Sequence, residues 1–401
     1  MTEPTAIVFD DREYSPSQLD ELAGGLAADL AERGATAGTR IAVMSSNRPE
    51  FVIAVLAAWK LGAAVVLLSP AWRTAEVQHA LAVTEPALAV GDHPVLAGLM
   101  PMRSLDDPIT LGDRHFAAPD PAADAVLVFS SGTTGMPKAV RHTHASLAAA
   151  VRDWIDVLQL TPADRIQILT PPSHILGLLN IVTALKVGVW MRLHKRFDLD
   201  TMLHSIESDR ITVEMAVAPI ALAIAHHPKL ESFDLSSLRY IMWGATPVTV
   251  SVAETVTRRT GVRWLPAYGA TELPVLACNP VDAPRLDTVG RAAPGVRLRT
   301  VSLDDGKPLG PGEIGEIQAR SPSLMSGYLP DAANAGSMVE GWYRTGDVGT
   351  IDSGGWVRIT DRVKEMIKVR GFQVAPAEIE SVLYDHPAVA DCAVFGVPDA
   401  A

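Results

Sequence analysis

The sequence predicts an α/β chain. A large N-terminal unit of doubly wound, mostly parallel sheets leads into a small β subdomain and then into the start of a small α+β unit. Three observations lead there. Apolar strand-like runs alternate with helical stripes through most of the chain. Around Pro280 the texture changes to short alternating segments broken by Gly/Pro turns. Near Asp361 a last unit begins, with a helix expected over 376–384 and a strand over 389–395.

In order, Ser17 begins a helix whose Leu19, Leu22, Leu26 and Leu30 make one stripe, ending near Gly34. Residues 40–44 read as a strand, Pro49 opens a helix, 64–68 is a second strand, 74–83 another helix and 87–90 a short strand. The Pro, Asp and Gly content of 94–124 reads as a surface connection. The apolar run Ala125–Phe129 is a buried strand. It feeds the loop Ser130–Lys138, and a helix follows with Leu147, Val151, Trp154, Ile155 and Leu158 on one face. Strands are then expected at 166–170, 189–193, 212–217, 239–243 and 262–265. Short strands between Val296 and Ala319 and a hairpin turn at 352–356 belong to the β subdomain.

Composition narrows the function classes. The 401 residues suffice for more than one core. A net charge of −12, with no basic run, argues against a nucleic-acid surface. Cys278 and Cys392 are isolated, without metal-like spacing, and read as free thiols in a reducing compartment. The N-terminus lacks the form of a signal peptide, and the apolar window 51–68 is divided by Lys60 and Gly62. The expectation is a cytoplasmic protein with no membrane span.

Five stretches carry chemistry. Ser130, Ser131, Gly132, Thr133, Thr134, Gly135 and Lys138 combine hydroxyl donors, glycines that let backbone N–H groups turn inward, and one positive charge. That is a phosphate cradle, though not a Walker A loop; a shorter fragment would read as an ordinary polar turn. Tyr268–Glu272 follows a strand, where ligands of parallel sheets sit, and Glu272 is a candidate Mg²⁺ ligand or else a solvated loop acid. Trp243–Pro247, at another strand end, has small residues against which a flat base can lie. Asp347, after a glycine turn, can accept hydrogen bonds from ribose hydroxyls. The charged run 361–368 is either a solvated face or a hinge carrying phosphate-binding cations.

Taken together, these five stretches resemble the adenylate-forming superfamily of acyl-CoA synthetases, adenylation domains and luciferases, over nearly the whole chain and in the family's order. The runs at 268–277 and 371–378 look most like the 4-coumarate–CoA ligase branch, which also includes fatty acyl-CoA synthetases. The resemblance implies a large AMP-binding (adenylation) domain over 1–360, with 285–350 as its β subdomain, and a hinge with an incomplete C-terminal domain over 361–401. It implies that Thr133, Thr134 and Lys138 hold the β- and γ-phosphates of ATP, and that Gly244, Ala245 and Thr246 face adenine opposite Ala267, Tyr268 and Gly269. Thr271 would contact the α-phosphate, Glu272 would ligate Mg²⁺, and Asp347 and Arg362 would bind the ribose. Asp361 looks like the hinge residue, and Lys364 and Lys368 would approach the α-phosphate or the acyl carbonyl.

The implied reaction activates a carboxylic acid to an acyl-adenylate with release of pyrophosphate, after which the thiol of coenzyme A displaces AMP. Alternatives are transfer to an acyl carrier protein and a nucleotide- and acyl-binding module with little catalysis. Residues 172–177 sit where amino-acid-activating relatives carry an aspartate for the substrate ammonium; this chain has His174 and apolar residues, so an apolar acid is expected. His174, Leu178, Trp243, Ala245, Leu273, Pro274 and Val275 would line its pocket, although core packing alone would explain most of them. Trp243, where many relatives have a small residue, would shorten the pocket and favour aryl or short-to-medium acids. Two departures stand out. Ala139 replaces a customary glycine and would stiffen the loop. Family members also continue for about another 100 residues, a domain's length, which carry a lysine that promotes adenylation. Weak adenylate formation is therefore expected of this chain.

Overall fold

The computed structural model describes residues 3–112, 114–130, 136–245, 249–369 and 372–374, together with 376, 379, 380, 383, 389 and 392–397. Among these, two large sheets share one layer of helices. The first, seven-stranded, runs Gly327–Leu329, Lys138–Thr143, Asp124–Ser130, Ala64–Leu67, Arg40–Met44, Leu88–Gly91, Met102–Ser104. It is parallel from Asp124–Ser130 onward and antiparallel at the other edge. The second, nine-stranded, runs Arg291–Ala292, Leu273–Cys278, Trp264–Ala270, Tyr240–Trp243, Val213–Ala216, Arg165–Ile168, Trp190–Leu193, Ile7–Phe9, Arg12–Tyr14. Its centre is parallel and its edges antiparallel.

Ala125 to Val128 are fully buried on both faces, the condition of a strand covered on both sides by other elements. One core contains Val65, Val126 and Val128 of the first sheet and Ile7, Ile166 and Met191 of the second. Between them lie the apolar faces of helices Pro16–Glu32, Pro49–Lys60, His144–Leu158 and Ile175–Val187. Helices Thr74–Thr84 and Pro94–Leu99 cover the outer face of the first sheet. Leu199–Ser208, Ala218–His226 and Val250–Thr260 cover the second. A third sheet, Arg297–Val301, Gly315–Arg320, Trp342–Ile351, Met338–Val339, with Val357–Arg362 paired to Trp342–Ile351, forms the expected β layer. Ile367–Val369 pairs with Phe372–Val374.

Several expectations need correction. The first helix starts at Pro16, because Ser15 accepts from the Gln18 N–H and closes a capping box. The connection 94–124 contains a helix, Pro94–Leu99, nucleated by buried Leu96, and an edge strand, Met102–Ser104, on Leu88–Gly91. The Ser130–Lys138 loop joins two antiparallel strands: Lys138–Thr143 returns beside Asp124–Ser130 before Thr143 caps the helix at His144. The strand expected at 262–265 is Trp264–Ala270, and it turns back at once into Leu273–Cys278. Of the terminal helix, described residues 376, 379, 380 and 383 are helical. Described residues 392–395 are not a strand; the Val394 N–H donates instead to Glu380 Oε1 at 2.7 Å.

Candidate active site

The Ser130–Lys138 loop closes a hairpin in which Ser130 and Lys138 face each other. Ser131, Gly132, Thr133, Thr134 and Gly135 lie outside the described residues. At the loop's base, Lys138 Nζ sits 3.5 Å from the centre of the Tyr328 ring and 3.9 Å from Glu272 Oε1. Burial pulls the Lys138 pKa below its ordinary value, with Lys364 adding to the shift and Glu272 opposing it.

Glu272 occupies the turn of the second hairpin, where Ala270 pairs with Leu273 and the register shifts between Tyr268 and Ala270. Its buried carboxylate accepts from Ser130 Oγ at 3.1 Å and from the Tyr328 hydroxyl at 2.9 Å, both on Oε1. Oε2 has no hydrogen bond among the described residues. The turn is clamped from behind. His142 Nε2 lies 2.8 Å from Thr271 O, so that nitrogen carries the hydrogen, and the Met325 N–H donates to Glu272 O at 2.9 Å. Burial pulls the His142 pKa down and keeps the imidazole neutral. Gly269 is required, since a Cβ there would stand 2.1 Å from Pro274 O.

A third group comes from the β layer. Asp347 and Arg362 pair across strands, with Arg362 Nε 3.2 Å from Asp347 Oδ1, and the Tyr268 hydroxyl donates to the same carboxylate. Burial raises the Asp347 pKa against the pull of Tyr268 and Arg362. Asp361, on the same strand as Arg362, is buried and accepts the Arg362 N–H at 2.7 Å. Lys368 lies on the strand Ile367–Val369.

One cleft of about 1450 Å³ opens between the strand ends of the two large sheets; Arg362 reaches it, while Asp347 and Asp361 are buried and do not line it. Lys138, Thr271, Glu272, Ala267, Tyr268, Gly269, Gly244, Ala245, Arg362 and Lys364 line it. Ala245 holds a left-handed backbone at φ +64, a strained conformation for a non-glycine residue. Thr246 lies outside the described residues. Of the acyl-pocket residues, His174, Ala245 and Pro274 line the cleft. Burial lowers the His174 pKa, which favours neutral imidazole.

Trp243 does not line it. Strand side chains alternate, so Met242 faces the cleft while Trp243 points to the opposite face and packs on Trp264 with ring centres 5.1 Å apart. Leu273 and Val275, on either side of Pro274, turn into the inter-sheet core for the same reason, and Leu178 packs there against the neighbouring helix. Trp243 therefore does not shorten the cleft.

Sequence reasoning missed Tyr328 and His142, the two side chains that orient Glu272 and its turn. The fit to Mg²⁺ is good: a fixed carboxylate presents one open oxygen beside a lysine, and Mg²⁺ takes few protein ligands together with phosphate oxygens. Among the described residues no cluster of three or more His, Cys, Asp or Glu could hold a metal by itself. Among them, too, no helix is long and apolar enough to cross a membrane.

Two mixed sheets meeting at a cleft, with a lysine beside an oriented carboxylate and an Asp–Arg pair on the β layer, define an α/β enzyme-like architecture. The AMP-binding enzyme profile matches residues 2–329, and the AMP-binding enzyme C-terminal domain profile matches 378–401. The indoleacetate–CoA ligase of Aromatoleum aromaticum is 36% identical, over 98% of this chain and 82% of its own. The 4-coumarate–CoA ligase 2 of Oryza sativa subsp. japonica is 34% identical, over 97% and 77%. Among solved structures, ATP-bound MatB from Rhodopseudomonas palustris superposes with a TM-score of 0.93 at 28% identity, covering 99% of this chain and 83% of that one. MenE from Bacillus subtilis with ATP and a magnesium ion gives 0.89 at 28%, covering 99% and 85%. The chain belongs to the AMP-binding enzyme family, in the acyl-CoA synthetase branch of the adenylate-forming superfamily.

Proposed function

We propose that the chain is an AMP-forming acid–CoA ligase whose substrate is an apolar, aryl or short-to-medium carboxylic acid. The observation that carries this reading is the placement of Glu272. One carboxylate oxygen is held by Ser130 and Tyr328, the other is left open, and Lys138 stands beside it in a cleft that continues into the apolar wall of Ile175, Leu179, Val217 and Met242. Aryl acids agree with the indoleacetate and coumarate in the relatives' names.

In the first half-reaction an oxygen of the acid's carboxylate attacks the α-phosphorus of ATP. The bond from that phosphorus to the bridging oxygen breaks and pyrophosphate leaves. The nucleophile is already ionised, so the protein positions the reactants and neutralises charge. Lys138 faces the departing phosphates, Gly244, Ala245 and Tyr268 hold the base, and Asp347 with Arg362 takes the ribose. Glu272 would hold Mg²⁺, which when bound would supply charge neutralisation to the phosphates. In the second half-reaction the thiolate of coenzyme A attacks the acyl carbonyl and AMP leaves with the electron pair. Lys364 lines the cleft at the end of the β layer; in this reading it meets the carbonyl or the α-phosphate, and Asp361 is the hinge residue. The thiol of buried Cys278, outside any disulfide, supports a cytoplasmic location.

The test is acid-dependent exchange of labelled pyrophosphate into ATP. Exchange that needs both the acid and Mg²⁺ is expected; exchange without acid, or none with any aryl or aliphatic acid, would remove the reading.

A further inference from the structure

A line of buried polar side chains, unrelated to phosphate handling, reaches the cleft from the core of the nine-stranded sheet. Glu214, on Val213–Ala216, is fully buried. Its carboxyl accepts the Met215 N–H at 2.9 Å and the side-chain amide of Gln167, on the neighbouring strand. Gln167 Nε2 also donates to Met202 O at 3.2 Å. With the amide nitrogen engaged twice on that side, Gln167 Oε1 must face the other way, where His194 Nε2 lies 2.7 Å away. An amide oxygen only accepts, so His194 Nε2 carries the hydrogen and Nδ1 carries the lone pair. Nδ1 has no hydrogen-bond partner among the described residues.

Asn47 presents a second acceptor. Its Nδ2 donates to Ile168 O at 2.9 Å and to His194 O at 2.8 Å, which staples the loop after Arg40–Met44 to the other sheet. Those two bonds settle which way the amide points. They leave Oδ1 buried with no donor among the described residues, and Asn47 itself is 6% exposed. A staple accounts for the nitrogen and not for the orphaned oxygen, which is costly to leave unsatisfied. Asn47 and His194 both line the cleft.

We infer that Asn47 and His194 form a hydrogen-bond-accepting subsite of the cleft, which takes an N–H or O–H donor of the ligand. The inference rests on the ligase reading, under which two ligand parts carry such donors: the ring of an aryl acid and the amide-bearing arm of coenzyme A. Gln167 and Glu214 are positioning residues that hold the His194 tautomer.

The experiment compares the full chain with His194→Leu, which removes the acceptor, and His194→Gln, which supplies another. Each is assayed with two matched acid pairs, indole-3-acetate against its N-methyl analogue and 4-coumarate against cinnamate, and with coenzyme A as the varied substrate. If the acid fills the subsite, the parent favours the donor-bearing acids by about tenfold in kcat/KM, one hydrogen bond's worth of discrimination. His194→Leu abolishes that ratio, His194→Gln restores part of it, and the KM for coenzyme A is unchanged. If the thiol fills it, His194→Leu raises the KM for coenzyme A about tenfold and the acid ratios stay put. Unchanged acid ratios and unchanged KM for coenzyme A, in a His194→Leu protein with the parent's melting temperature and ATP affinity, would overturn the inference. Should His194→Leu melt early, His194→Phe, which also removes the acceptor, is read in its place. If the parent turns over no acid, the ligase reading fails separately; equilibrium binding of coenzyme A and the acid pairs to parent and variants then decides the subsite by the same ratios.

Discussion

Three side chains meet at the polar end of the cleft: Glu272, Lys138 and Tyr328. Tyr328 touches both of the others, its hydroxyl on Glu272 and its ring under the lysine ammonium. Tyr328→Phe keeps the ring and loses the hydroxyl. The half-saturating Mg²⁺ concentration for adenylation should rise about fivefold, one modest hydrogen bond, while thioester formation from supplied acyl-adenylate is spared. Lys138→Met removes the charge facing the leaving pyrophosphate. Pyrophosphate exchange should fall by about a hundredfold, again with the second half-reaction spared. Equal loss in both half-reactions would assign Lys138 a structural role. That Lys138 and Glu272 would share one crevice was legible, because both lie at strand ends of sheets with a parallel core. Tyr328 was not: it meets Glu272 only because Gly327–Leu329 pairs with Lys138–Thr143, a contact that spacing along the chain does not reveal.

Element by element, the strand–helix alternation was visible wherever both faces are buried, since runs such as Ala125–Phe129 tolerate no polar side chain. It failed at the two hairpins that build the site. Lys138–Thr143 mixes Lys138, Arg141 and His142 with its apolar residues, and a strongly amphipathic helix follows at once, which masks an edge-side strand. Face was illegible too: adjacent Met242 and Trp243 belong to the cleft and to the core. Trp243→Ala should therefore destabilise the fold by about 3–5 kcal/mol in denaturant titrations without changing the ranking of acids by chain length. Glu214 gives the second sheet a pH signature. Burial raises its pKa from 4.5 to about 8. Below about 4.5 both folded and unfolded chains hold the proton; between there and about 8 only the folded chain does. Stability should then fall as pH rises across that window and level off above it. Glu214→Gln should flatten this slope, adding on the order of a few kcal/mol at pH 8 and nothing near pH 4.

At the scale of the molecule, two sheets pointing their strand ends at each other create a cleft with a polar, phosphate-handling end and an apolar end, and the β layer closes its side with Arg362 and Lys364. That arrangement suits a reaction in which a charged leaving group and an apolar acid must meet at one phosphorus. The doubly wound plan was readable from alternation; the meeting of two sheets was not, because it depends on which faces of the four shared helices are apolar on both sides. The most direct measurement incubates the full chain with ATP, Mg²⁺ and coenzyme A and a panel of indole-3-acetate, 4-coumarate, hexanoate and an amino acid, and quantifies AMP and thioester together by mass spectrometry. AMP and acyl-CoA should appear in equal amounts with an apolar acid and not with the amino acid. Formation of ADP, or of AMP without any thioester across the panel, would contradict assignment as an acid–CoA ligase.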